Sequence, residues 1–235
     1  MKKVVHKAET RGRANYGWLD SHHTFSFGSY VNPDRMNFGM LRVLNDDVVA
    51  PGMGFGTHAH DNMEIISIPL RGELAHKDST GEAHVIHTGD LQIMSAGSGI
   101  THSEYNASKT TEVNFLQIWI LPKKRNINPR YEQITIPRIQ NSLQLVVSPE
   151  KKEGAVWINQ EARFYLGQFD GEQMITHAVH GENSGVYLFV IRGKVETAGE
   201  IIEARDGMGL WGVGSADLKA LEDSEILLME IPIQE

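Results

Sequence analysis

No stretch of eleven or more residues in this chain carries a 3.6-residue apolar period with caps, so no amphipathic helix of ordinary length is written into it. Short apolar runs recur instead, rich in Ile, Val, Leu and aromatics, and most are closed by Gly, Pro, Asn or Asp. Six of them, Glu64–Leu70, Asp90–Ser95, Phe115–Leu121, Leu143–Val147, Val186–Ile191 and Ile226–Ile231, read as strands. Frequent glycine (23) and thinly spread proline (8) supply the turns between them. The pattern predicts an all-β chain of sandwich or barrel type.

A weak internal repeat sharpens this. PLRGELAHKDSTGEAHVIHTGDLQIMSAG (69–97) and VIRGKVETAGEIIEARDGMGLWGVG (190–214) share one plan. In each, a β-run ends in Arg-Gly (Arg71-Gly72, Arg192-Gly193), and a strand, a turn and another strand follow. Then come Gly89-Asp90 or Asp206-Gly207, an apolar strand and a further glycine. Two copies of one β-barrel domain explain the plan, and 235 residues suit two such units. Residues 121–141, with Pro122, Pro129 and Pro137, read as the linker. The expected division is an N-terminal barrel over 1–135 and a C-terminal barrel over 136–235.

Composition removes several function classes. There is no cysteine, which excludes a disulfide scaffold, a zinc–thiolate site, an iron–sulfur cluster and a cysteine nucleophile. A net charge of −8 repels phosphates, and the short clusters Lys123-Lys124-Arg125 and Lys151-Lys152 do not offset it, so no direct nucleic-acid partner is expected. No run approaches the ~18 apolar residues of a membrane helix. The N-terminus has charge without an apolar stretch, and a cytoplasmic monomer is expected.

The eleven histidines hold the chemistry. One His-x-His is weak, since roughly half such a pair arises by chance at this frequency. Context strengthens it. In GMGFGTHAHDNME (52–64), residues i and i+2 of a strand share a face, so His58 and His60 point together. In GSGITHSE (97–104), His102 and Glu104 share a face by the same parity. Two such strands side by side would present three imidazoles and a carboxylate to one divalent transition metal: Fe, Cu, Ni, Mn or Zn. Glu64 has the parity of His60 but lies about 13 Å along the strand, and reads as support for the ligands or the turn, or as surface. His84 and His87 read as solvent-facing. His22 and His23 diverge, and one could line a pocket. His177 and His180 form a rival pair with no later histidine to complete it.

These same segments carry a family resemblance. GMGFGTHAHDNME resembles the first cupin motif, Gly-x5-His-x-His-x3-Glu. GDLQIMSAGSGITHSE resembles the second, with Ser95 in place of the usual Pro and one extra residue before His102, a variant characteristic of pirins. WLDSHHTFSFGSY (18–30), MSAGSGITHSEYN and LQIWILP are also similar to pirin segments. The resemblance implies a bicupin: two facing β-barrels, with one metal, most often iron, in the N-terminal barrel and none in the degenerate second copy. By motif match the ligands fall on His58, His60, His102 and Glu104.

For function the resemblance implies two outcomes. Bacterial pirins have quercetin 2,3-dioxygenase activity, in which O2 opens the flavonol heterocycle with loss of carbon monoxide. The flavonol would ligate the metal through its 3-hydroxyl and carbonyl, and Glu104 would take the hydroxyl proton. Eukaryotic pirins are iron-containing regulators of transcription factors, and the alternative is a non-enzymatic, redox-responsive protein acting through protein contacts. Phe25, Phe27, Phe38, Phe55, Met53 and Met94 are candidates for an apolar wall against a flat aromatic substrate.

Overall fold

A computed structural model describes residues 1–181 and 183–233. Apart from two single-turn 3-10 segments, Ala8–Thr10 and Pro33–Arg35, its regular structure is β. All six strands expected from the sequence are present, extended by a residue or two in most cases.

The strands form two seven-stranded and two four-stranded sheets. In the first half the large sheet runs Arg130–Thr135, Asp90–Ser95, Glu64–Arg71, Val113–Ile120, Leu41–Val49, Leu19–His23 and Gly12–Asn15. Its small sheet runs Gly54–His60, Ile100–Asn106, Glu73–Asp78 and Ala83–His87. The second half repeats the small sheet strand for strand: Met174–Ala178, Ser215–Ala220, Lys194–Thr197 and Glu200–Glu203. In each half the small sheet packs against the large one across an apolar interior, giving the two barrel-type units that the repeat predicted.

Alternation along the strands divides the apolar residues between two environments. Ile66, Ile68, Leu116 and Ile118 of one large sheet meet Tyr187, Phe189, Leu227 and Met229 of the other in a shared core. The large sheets therefore face each other, and the barrels stand on either side. The opposite parity points into each barrel. The second interior is one apolar cluster, including Val186, Leu188, Val195 and Leu218. The first contains two smaller ones, around Leu74 and Phe115 and around Ile65 and Met94.

Equivalent turns confirm the duplication. Gly72 and Gly193 have φ of 83° and 87°. A Cβ at Gly72 would meet Glu112 O at 2.9 Å, and one at Gly193 would meet Asp223 O at 2.5 Å. Each glycine lets the turn lie against the strand that re-enters its large sheet. Asp90 accepts from His87 N at 2.9 Å, and Asp206 from Glu203 N at 3.0 Å. The matching dipeptides are thus Gly89-Asp90 and Arg205-Asp206, one residue off the alignment with Asp206-Gly207. Arg205 takes the left-handed conformation, φ 70°, that Gly89 takes in the first copy.

Two segments differ from expectation. The expected linker contains a strand, Arg130–Thr135, paired antiparallel with Asp90–Ser95 at the edge of the first large sheet. Its alternating polar sequence hides it, and an edge position tolerates the flanking prolines. At the other end of the chain, Lys2–His6 pairs with Gly207–Trp211 in the second large sheet. The chain therefore begins by completing the sheet in which it ends.

Ile118 is fully buried in the shared core, and Ile118→Ala should cost about 2–5 kcal/mol in urea unfolding. A loss below 1 kcal/mol would show that the two sheets do not depend on this layer. His6 is buried beside the Tyr187 hydroxyl, 2.8 Å away, and burial, with the Arg35 charge, lowers its imidazole to about 4. Its contribution to stability should be complete above pH 6.5 and lost as pH falls toward 4. An NMR titration should show the His6 ring neutral at pH 5; a midpoint near 6.5 would contradict this environment.

Candidate metal centre

The first barrel's two apolar clusters are separated by polar side chains that interrupt otherwise apolar strands. Ser67, Gln92 and Gln117 come from the large sheet, and His76, Asp78, His102 and Glu104 from the small one; all are buried. Within the small sheet, His102 pairs opposite His58, and a register shift separates it from Glu104, which pairs opposite Phe55. Such a bulge re-aims neighbouring side chains without breaking the sheet. Close approach here requires glycine: a Cβ on Gly54 would fall 2.2 Å from Glu104 O.

His58 and His60 lie on one face of Gly54–His60, and the rings of His58, His60 and His102 converge with centroids 4.5–4.9 Å apart. One nitrogen from each of the three lies within 4.8 Å of the others. Glu104 forms a second such group with His102 and His76, so His102 is the shared member. His58 Nδ1 donates to Gly56 O at 2.7 Å, which leaves its Nε2 lone pair free. Glu104 Oε2 accepts from Gln117 Nε2 at 2.7 Å, and Ser67 Oγ lies 3.1 Å from Oε1. Ser67 also accepts from Gln92 Nε2 at 2.8 Å, which fixes its hydroxyl.

Electrostatics suits this set to a cation. Both ring nitrogens of His102 are buried without a hydrogen-bond partner, an arrangement that costs free energy unless something else takes a lone pair. Burial and the neighbouring imidazoles hold His102 down at about 3 and His60 at about 4, so both rings present neutral nitrogen. Burial pushes the Glu104 carboxyl up to about 7 against the pull of Ser67 and Gln117. Three convergent imidazoles beside a desolvated carboxyl are a donor set that suits a divalent transition metal.

An open pocket leads to this centre. His58, His60 and Glu104 line it together with Phe27, Phe55, Tyr16 and Trp119. Trp119 packs edge-on against both His60 and Phe27, at 4.9 and 5.4 Å. His23, Ser21, Asn45 and Asp47 form a polar side. Ser21 donates to Asp47 and lies 2.8 Å from His23 Nε2, and burial raises the Asp47 carboxyl to about 7. His23 is thus the member of the His22–His23 pair turned inward.

The expected apolar wall needs correction. Phe27 and Phe55 line the pocket, but Phe25 and Phe38 pack on Tyr187 in the shared core. Met94 is buried with Ile65 and Ile100, and Met53 is exposed. Glu64 is neither surface nor metal-facing. It is buried, accepts from Ser95 Oγ at 2.7 Å and from Asn159 N at 3.2 Å, and so ties the second half to the first. Ser95, the departure from the cupin proline, supplies that hydroxyl. His84 and His87 are exposed as expected. His84 stacks on Tyr131, whose ring also lies 4.7 Å from His76. His177 and His180 meet Glu230 in the second half, apart from this centre.

Two duplicated β-barrels, the first with a buried layer of histidines, carboxyl groups and amides, define a bicupin. The chain belongs to the pirin family: residues 4–120 match the Pirin model and 145–231 match the quercetinase C-terminal cupin domain. It is 42% identical over 228 residues to a protein of Escherichia coli K12 named quercetin 2,3-dioxygenase, covering 97% of this chain and 98% of the relative. A pirin-like protein of Caulobacter vibrioides is 38% identical, with 93% of this chain and 95% of the relative covered. Among solved structures, Escherichia coli YhhW superposes with a TM-score of 0.96 at 40% identity, over 100% of this chain and 99% of that one. Bacterial pirin YhhW in complex with nickel(II) gives 0.95 at 40% identity, over 99% and 100%.

The unpaired imidazole allows a direct test. His102→Leu removes a buried polar group that lacks a partner, so the metal-free variant should equal the parent in stability or exceed it by about 1–3 kcal/mol. Urea unfolding in the presence of chelator measures this. A clear loss of stability would show that His102 is held by protein contacts and not kept for an ion.

Proposed function

We propose that this protein is a metal-dependent dioxygenase of flavonol type, a quercetin 2,3-dioxygenase. His58, His60, His102 and Glu104 hold one divalent ion, Fe(II) being favoured by the family resemblance and nickel(II) being the ion in the solved YhhW complex. The observation that carries the reading is the convergence of three imidazoles, one with both nitrogens unpaired, beside an aromatic-walled pocket that His58 and His60 line. The relatives named quercetin 2,3-dioxygenase support the substrate class.

The bound ion supplies Lewis acidity, lowering the pKa of a hydroxyl that ligates it. The chain's own residues do the rest. Phe27, Phe55 and Trp119 would flank a flat ring system in the pocket that His58, His60 and Glu104 also line. Glu104 receives the hydroxyl proton, its carboxylate held by Gln117 and facing Ser67. Removing that proton leaves an electron-rich heterocycle for O2 to attack, and the ring opens with release of carbon monoxide. The apolar walls keep bulk water from the anion. We place the activity in a soluble, cytoplasmic compartment; no helix among the described residues is long and apolar enough to cross a membrane.

Aerobic loss of quercetin absorbance with carbon monoxide release, dependent on added metal, tests the assignment. Persistent turnover in rigorously metal-free protein would refute it. Glu104→Gln should lower turnover by about 10² or more at equal metal occupancy, because it keeps an oxygen ligand but loses basicity. His58→Ala should lower metal content and activity together. If metal-loaded Glu104→Gln cleaves quercetin at the parent rate, Glu104 is a ligand at most.

A further inference from the structure

We propose a second, more labile divalent-metal site in the C-terminal barrel, formed by His177, His180 and Glu230. One ligand atom from each residue lies within 4.8 Å of the other two. His177 is on the strand Met174–Ala178, the outer strand of the second small sheet. The first small sheet carries His58 and His60 on the strand in the same place. Glu230 is on Ser224–Pro232, which pairs with Ser184–Arg192 as Val113–Ile120 pairs with Glu64–Arg71. Glu230 pairs opposite Val186 and Trp119 opposite Ile65, both inward-facing residues near the start of those strands. Glu230 therefore occupies the second-copy position of Trp119, the residue that packs on His60. The cluster lies where duplication of the first centre would place it.

The local geometry is that of a chelate. Glu230 is fully buried, and its Oε1 accepts from the backbone N–H of His180 and Gly181 at 2.9 and 2.8 Å. Those amides fix the carboxylate and turn Oε2 toward the imidazoles. His180 Nδ1 is 2.9 Å from Oε2 and His177 Nε2 is 3.4 Å from it. His177 is 95% buried, its relative exposure being 5%, and its Nε2 has no properly directed hydrogen-bond partner. Arg163 stands on the far side, 3.8 Å from Oε1, and its other guanidinium nitrogen is held by Glu150 at 2.9 Å. A cation at the convergence point would take one lone pair from each ring, each imidazole carrying its proton on the other nitrogen. Two histidines and a glutamate are the ligand set of an open zinc-type site, with water completing the shell. His180 is half exposed at its side chain, so the ion would exchange readily with solvent.

The test uses zinc(II) alone. The variant His58→Ala/His60→Ala disables the first centre, and equilibrium dialysis with metal analysis then counts zinc on the remaining site. About one zinc per chain is expected. Adding His180→Ala, at a half-exposed position that leaves the core untouched, should weaken that binding by tenfold or more. His177→Gln on the same background should do likewise. Cobalt(II) should give visible ligand-field bands in the double variant that His180→Ala abolishes. A double variant that takes up no zinc, or one whose uptake is unchanged by His180→Ala, overturns the site.

Discussion

The apolar layer shared by the two large sheets is what the first barrel's chemistry rests on. A β-barrel ordinarily gains stability from its interior, because burying polar groups without partners costs more than it returns. Here Ile66, Ile118, Phe189 and Met229 provide a second, continuous core outside both barrels. The second barrel adds an apolar interior of its own. Between them they allow the first barrel to devote its middle to Ser67, Gln92, Gln117, Glu104 and His102, which form a poor hydrophobic core and a good ion-binding layer.

That layer shows a division of labour by depth. Gln117 and Ser67 address the carboxylate of Glu104, and Gln92 addresses Ser67. His58 is turned by the backbone carbonyl of Gly56. His102, deepest of the three imidazoles, has no protein partner. Hydrogen bonding thus fixes the groups that orient and leaves unpaired a group that can ligate. Strain and desolvation at a site of this kind are tolerated because they are offset elsewhere in the fold. The pocket wall continues the layer, with Trp119 packed on His60 and Phe27 packed on Trp119.

Much of this was legible in the sequence, for identifiable reasons. Strands such as Glu64–Arg71 announced themselves because β-branched runs bounded by glycine have few alternatives. That His58 shares a face with His60, and His102 with Glu104, was legible because side-chain parity along a strand is rigid. Arg130–Thr135 and Lys2–His6 were not, because their polar or charged residues at sheet edges leave no apolar signature. The aromatic wall was half right: type alone cannot separate Phe27, in the pocket, from Phe25, in the core. Asp78 and His76 were missed because nothing in their spacing ties them to His102, which they meet only across paired strands. A usable signal for the remainder did exist. Ser67 in EIISIPLR, Gln92 in DLQIMS and Gln117 in VNFLQIWI are lone polar residues inside apolar runs, and Glu230 in ILLMEIP is a fourth. Each proves to be buried and hydrogen-bonded.

In the function proposed above, the first barrel's polar layer holds an ion to which the pocket delivers a flavonol. Anaerobic optical titration of the metal-loaded protein with quercetin tests it most directly, since without O2 the complex cannot turn over. A red shift of the flavonol band is expected, saturating at one equivalent and absent from both metal-free protein and His102→Leu. An unshifted spectrum, or the same shift in metal-free protein, would contradict it.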